Sequence, residues 1–148
     1  MGDNDRSGAV GGGELDGFRV GHLPAGVGAE VTDFATEWDD VTFATRVWER
    51  HVDEGYRVDL RVHVLRGARI ADLAALRDFL GEYHERAPDG GKWDAFPHPD
   101  GPGLIGAGEA FWLVEPGLAV DVLVDPEYHD GPILAAVARA VTRVGTGG

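Results

Sequence analysis

An α+β domain, with an antiparallel sheet of about five strands packed on two helices in the order β-β-β-α-β-β-α, is the fold class that three runs of residues predict. From Tyr56 to Val64, the side chains Tyr56, Val58, Leu60, Val62 and Val64 alternate with Arg57, Asp59, Arg61 and His63, a period of two that only an extended strand can use to bury one face and wet the other. A second run sets Leu118, Val120, Val122 and Val124 against Ala119, Asp121, Leu123 and Asp125. From Ile70 to Glu85 the period changes: Ile70, Leu73, Leu76, Leu80 and Tyr83 share one stripe, with Asp72, Arg77, Asp78, Glu82 and Glu85 mostly off it, as in an amphipathic helix. Such a helix belongs on the dry face of the sheet.

Taken in order, residues 1–16 hold Gly2, Gly8, Gly11, Gly12 and Gly13, four acids and few large apolar groups. Burial cannot offset the entropy of ordering them, so a flexible Gly-rich acidic tail or linker is expected there. A single α+β domain then spans 17–145, with a disordered C-terminus over 146–148. A short strand from Phe18 to His22 is ended by Leu23-Pro24-Ala25-Gly26, a turn signal. Val41 to Arg50 alternates again and pairs with the Tyr56 run through Val52-Asp53-Glu54-Gly55. Pro88-Asp89-Gly90-Gly91 stops the first helix. After an irregular Pro- and Gly-rich stretch come a strand from Ala110 to Val114, the turn Glu115-Pro116-Gly117, and the strand to Asp125. The last helix has Asp130 as N-cap and Pro132 in its first turn, with Ile133, Leu134, Val137, Ala138, Val141 and Val144 on its apolar face.

The chain of 148 residues is one domain's worth, and a hydrophobic content of 43% fits a folded globule. No stretch approaches the roughly 18 apolar residues of a membrane span, and no signal peptide is visible at the acidic N-terminus, so no membrane insertion is expected. A net charge of −13 has the wrong sign for a phosphate backbone, which argues against nucleic acid and anionic membrane as partners. The charge is uneven, since Arg46 to Arg77 holds seven arginines against five acids while Asp89 to Asp130 holds nine acids and one lysine. A solvated acidic surface accounts for this, as does a dipole that steers a basic partner.

Subtraction narrows the chemistry. There is no cysteine and no glutamine, and the only serine and the only asparagine, Ser7 and Asn4, lie in the expected tail. Acyl-enzyme catalysis through Ser or Cys therefore lacks its nucleophile. His84-Glu85 opens like a zincin helix, but Pro88 stands where the second histidine is needed. Gly101-Pro102-Gly103-Leu104-Ile105-Gly106 spells the dinucleotide fingerprint without the strand before it or the helix after it, so its glycines serve the backbone instead. The acid clusters Asp33-Glu37-Asp39-Asp40 and Asp125-Glu127-Asp130 lack the spacing of an EF-hand loop. A metal assembled across the fold would draw on His63, Asp59 and Asp121. Exposed strand positions account for those residues without a ligand, and no catalytic residue, metal or cofactor is assigned. Trp38, Trp48, Trp93 and Trp112 are core residues or the floor of a ligand pocket; Trp48 stands out because it shares the polar face of its strand with Arg46 and Thr42.

Two segments carry a resemblance: Phe18-Arg19-Val20-Gly21-His22-Leu23-Pro24, and Phe111-Trp112-Leu113-Val114-Glu115-Pro116-Gly117-Leu118-Ala119-Val120 with its closing helix. With the central strands they resemble small actinobacterial domains of unknown function found outside the membrane, often behind an anchor and a linker. The plan of elements is also similar to PsbP-like and lipoprotein-type α+β folds. The resemblance covers about 18–144 and implies a domain that binds partners or small ligands without doing chemistry, with no catalytic residues to carry over. The location reads as cytoplasmic from the chain as written, and extracytoplasmic if a signal or anchor has been removed.

The expectation is a non-catalytic binding or interaction domain for an unknown protein or small molecule, with Trp48, Arg46, His63 and Asp121 as candidate binding residues. The alternative is a small cone-shaped α+β enzyme or ligand-binding protein in which His63 works with Asp59 or Asp121 as an acid–base pair. Oligomeric state and ligand are left open.

Overall fold

The computed structural model describes residues 12–85 and 92–144. Within them the order is β1 (Gly13–Leu15), β2 (Phe18–Val20), β3 (Glu30–Trp38), β4 (Val41–Val52), β5 (Gly55–Arg66), α1 (Leu73–Tyr83), β6 (Asp94–Ala95), β7 (Gly103–Gly106), β8 (Glu109–Glu115), β9 (Leu118–Val124), α2 (Gly131–Arg139) and β10 (Val141–Arg143). Seven strands form one antiparallel sheet in the order β3-β4-β5-β9-β8-β7-β6, and β1-β2-β10 form a second. Strands take 50% of the described residues and helices 16%.

The protein is therefore mostly β, which corrects the expected α+β plan of five strands on two helices. The long strands arise where alternation was read. The hairpin between β4 and β5 turns at Asp53-Glu54, with Val52 opposite Gly55. That between β3 and β4 turns at Asp39-Asp40, both at positive φ (54° and 67°), the backbone that matches the twist of a two-residue hairpin. Asp72 caps α1 by accepting from the Ala75 N–H at 2.8 Å, and Asp130 caps α2 by accepting from the Ile133 N–H at 3.1 Å.

Both faces of the large sheet are covered, each by its own helix. On one, Leu60, Val62, Val64, Val120, Val122 and Trp112 pack under α2 (Leu134, Val137, Ala138) and under Leu15, Phe18, Val20 and Val141 of the small sheet. On the other, α1 lays Leu76, Phe79 and Leu80 on Phe43, Leu65, Phe111, Leu113 and Ala119. The expectation that both helices share one dry face fails because much of the second face of β5 and β9 is also buried, although Arg61 stays exposed. His63, Asp59 and Asp121 are 3%, 0% and 0% exposed.

Other departures have local causes. Val141 and Val144, counted on the last helix, lie beyond its end: Ala140 is the C-cap, and Val141–Arg143 pairs with β2. Gly13–Leu15, inside the expected tail, also pairs with β2; the rest of that tail, residues 1–11, and the expected disordered C-terminus at 146–148 lie outside the described residues. β7 carries part of the glycine motif, and a Cβ at Gly101 or Gly103 would run into the backbone carbonyls of Leu113 or Phe111. Those glycines thus admit a close strand approach. Among the described residues no helix is long and apolar enough to cross a membrane.

Candidate functional site

The residues singled out in sequence fall into two regions, the β3 edge and the middle of the sheet under α1. Among the described residues β3 pairs with β4 alone, in unbroken register from Glu30↔Glu49 to Trp38↔Val41. All nine of its residues are exposed, among them Val31 at 51%, Phe34 at 46% and Trp38 at 38%. Trp38 is held by edge contacts with Phe79 and Tyr83, at ring-centre distances of 5.3 and 5.4 Å.

Arg46, on β4, grips Asp33 of the edge in a fork, Nε donating to Oδ1 at 2.7 Å and a terminal nitrogen to Oδ2 at 2.8 Å, while its other terminal nitrogen donates to the Gly12 carbonyl at 2.6 Å. The hydrogen bond from Arg46 holds the Asp33 carboxyl below the usual carboxylate range. Trp48, expected on a polar and accessible face, is instead buried at 3% exposure in the core beneath α2 and the small sheet. Its residual surface meets an open groove of about 690 Å³ lined also by His22, Leu23, Pro24, Val27 and Val31.

That groove's far wall is the segment 22–29, and Asp59 fastens it. The β4–β5 pairing sets Trp48 against Leu60 and Glu49 against Val58, so Asp59 is an extra residue in the ladder, a bulge that re-aims a side chain. Its carboxylate accepts from the Gly28 N–H at 2.7 Å, from Arg50 Nε at 2.9 Å and from Arg57 at 3.0 Å. Burial pushes its pKa up, but these bonds outweigh it and hold the group below its ordinary range. Asp59 is a structural anchor, and it is not joined to His63.

Under α1 a continuous cross-strand row runs Phe34, Thr45, His63, Asp121, Phe111. The structure thus sets His63 beside Asp121. The His63 Nδ1 is 2.7 Å from the Thr45 hydroxyl, while its buried Nε2 and Asp121 Oδ1 have no hydrogen-bond partner among the described residues. Burial lowers the His63 pKa to about 4, against the pull of the Asp121 carboxylate, so the ring is neutral at pH 7. Two residues that sequence reasoning passed over complete the group. His84, the C-cap of α1, brings Nε2 to 3.3 Å from Asp121 Oδ2 and 3.4 Å from Glu109 Oε2. Glu109 is only 4% exposed. In sequence the His84-Glu85 dipeptide reads only as an incomplete zincin motif, and nothing around Glu109 marks it as buried.

No protein-family model, curated protein or solved structure matches the chain, so the resemblance to actinobacterial extracytoplasmic and PsbP-like domains stands on the quoted residues alone.

Proposed function

We propose that this is a non-catalytic interaction domain whose working surface is the β3 edge, where an extended, basic segment of a partner protein adds as a further strand. The observation that carries the reading is an edge of nine residues that pairs on one side only among the described residues: it has no Lys, no Pro and no bulge, its charges are all acidic, and it displays Val31, Phe34 and Trp38. Main-chain pairing supplies affinity in such additions, and pockets for alternate side chains supply specificity. The groove beside Val31 and Trp48 is such a pocket. Glu30 and Glu37 stand exposed on the same strand of a chain with net charge −13, which favours a cationic segment and disfavours a second copy of this chain.

The acid–base enzyme has less support. Asp59 is engaged by two arginines and a backbone N–H, and the neutral His63 sits under α1 with 3% of its surface exposed.

The test is a titration with two labelled peptides, one alternating Lys with Val and one alternating Glu with Val. Saturable, salt-weakened binding of the basic peptide is expected, with loss of binding in Phe34→Lys at unchanged circular dichroism. Equal binding of both peptides, or undiminished binding by Phe34→Lys, would overturn the proposal. Self-association of the wild type in sedimentation would assign the edge to a second copy instead.

A further inference from the structure

The group under α1 has an arrangement that interaction at the edge does not use. Three donor atoms from three elements converge there: His84 Nε2 at the end of α1, a Glu109 carboxylate oxygen at the start of β8, and an Asp121 carboxylate oxygen on β9, all within 4.8 Å of one another. The nitrogen lies 3.3 and 3.4 Å from the two carboxylate oxygens. Ligand atoms about 2.1 Å from a common tetrahedral centre are about 3.4 Å apart. Asp121 is fully buried, and its second oxygen meets no donor among the described residues. A fully buried carboxylate oxygen without a donor is expensive. A divalent cation at the meeting point of the three donors offsets that cost.

We infer that His84, Glu109 and Asp121 form a binding site for one divalent transition-metal ion of the zinc class, tying the C-terminal end of α1 to β8 and β9. The donor set selects the class. An imidazole nitrogen with two carboxylates suits zinc and its first-row neighbours, whereas calcium demands six to eight oxygens and magnesium keeps most of its waters. Water fills the remaining position, as is usual where a protein supplies three ligands. The His84 side chain is 18% exposed, and it gives the ion its way in.

The site is tested on the full chain after chelator treatment, by calorimetric titration and thermal melting with Zn2+, Mg2+ and Ca2+ in turn, and by the visible spectrum of the Co2+ form. One Zn2+ per chain, a raised melting temperature and an intense tetrahedral Co2+ band are expected, with no shift from Mg2+ or Ca2+. Replacing a direct ligand by Asp121→Asn or His84→Gln should weaken Zn2+ by about 100-fold or more. His84 lies partly exposed at a helix end, so its variant reads out even if the Asp121 variant fails to fold. Absence of saturable Zn2+ binding would overturn the site. So would equal affinity in the wild type and His84→Gln, which would move the ion to surface histidines such as His22 and His51.

Discussion

The edge of the large sheet and its middle invert the inside–outside rule in opposite senses. On β3, Val31, Phe34 and Trp38 are exposed. Three strands inward, in the row that begins with Phe34, the fully buried position belongs to Asp121, with His63 beside it and Glu109 nearby. An exposed large apolar patch and a buried charge are the two observations that composition alone does not account for. Each marks a surface whose stability was not the only thing its residues serve. The core beneath α2 is built differently: it is filled with Val, Leu and Trp, and the buried His98 against it is fully accommodated. His98 stacks on Trp112 with ring centres 3.8 Å apart, Nε2 lies 2.9 Å from the Ala138 carbonyl, and Nδ1 accepts from the Asp100 N–H at 2.9 Å.

The contrast is broken most directly by truncating the two phenylalanines at the ends of that row. Phe111→Ala should cost about 3–5 kcal/mol by opening a cavity, and Phe34→Ala within about 0.5, read from urea midpoints at constant slope. Similar costs would mean that β3 is covered in solution.

The next effect is conditional. Asp121→Asn removes a ligand at nearly constant volume, so the melting temperature of the folded variant should not respond to zinc. In zinc at one hundred times Kd the variant should lack a stabilisation of about 2.7 kcal/mol that the wild type gains. Differential scanning calorimetry with and without the ion measures both halves.

Smaller again is a pH effect on the face beneath α2. Burial lowers the His98 pKa, despite the hydrogen bond to Ala138. The folded state thus holds the neutral ring while the unfolded chain takes up a proton near pH 6.5. Stability from this group is complete above that pH and is lost as pH falls through and below it. His98→Gln should flatten the urea stability difference between pH 7 and pH 5 relative to wild type; an unchanged slope would show that the ring titrates alike in both states.

How much of this the sequence discloses depends on which face a residue serves. Leu60, Val62 and Val64, and Leu118 to Val124, announce strands because one side is sealed under α2 and period two follows. β3 was not read as a strand because both its faces are exposed, so burial imposes no alternation and Val31, Phe34 and Trp38 fall at irregular spacing. β6, two residues long, and β7, four residues with a glycine at each end, are too short to show a period. The helices are legible from their stripes and α2 also from its Asp130 cap, whereas Asp72, the cap of α1, reads only as an off-stripe acid; their placement on opposite faces is not legible, since Arg61, His63 and Asp121 read as a wet face while α1 covers His63 and Asp121. Of the candidate residues, His63 and Asp121 do meet, Arg46 supports the edge from behind, and Trp48 is core with a sliver on the groove. His84 and Glu109 join them only through tertiary contact between a helix end and a strand start 25 positions apart in the chain, a distance over which no local pattern operates.

The most direct measurement for the edge is residue-resolved amide hydrogen exchange with and without the Lys–Val peptide. Peptide-dependent slowing should appear at alternate amides of Glu30 to Trp38, those turned away from β4, and leave β5 and β9 unchanged. Slowing spread over α1 or α2, or absent from β3, would contradict strand addition at this edge.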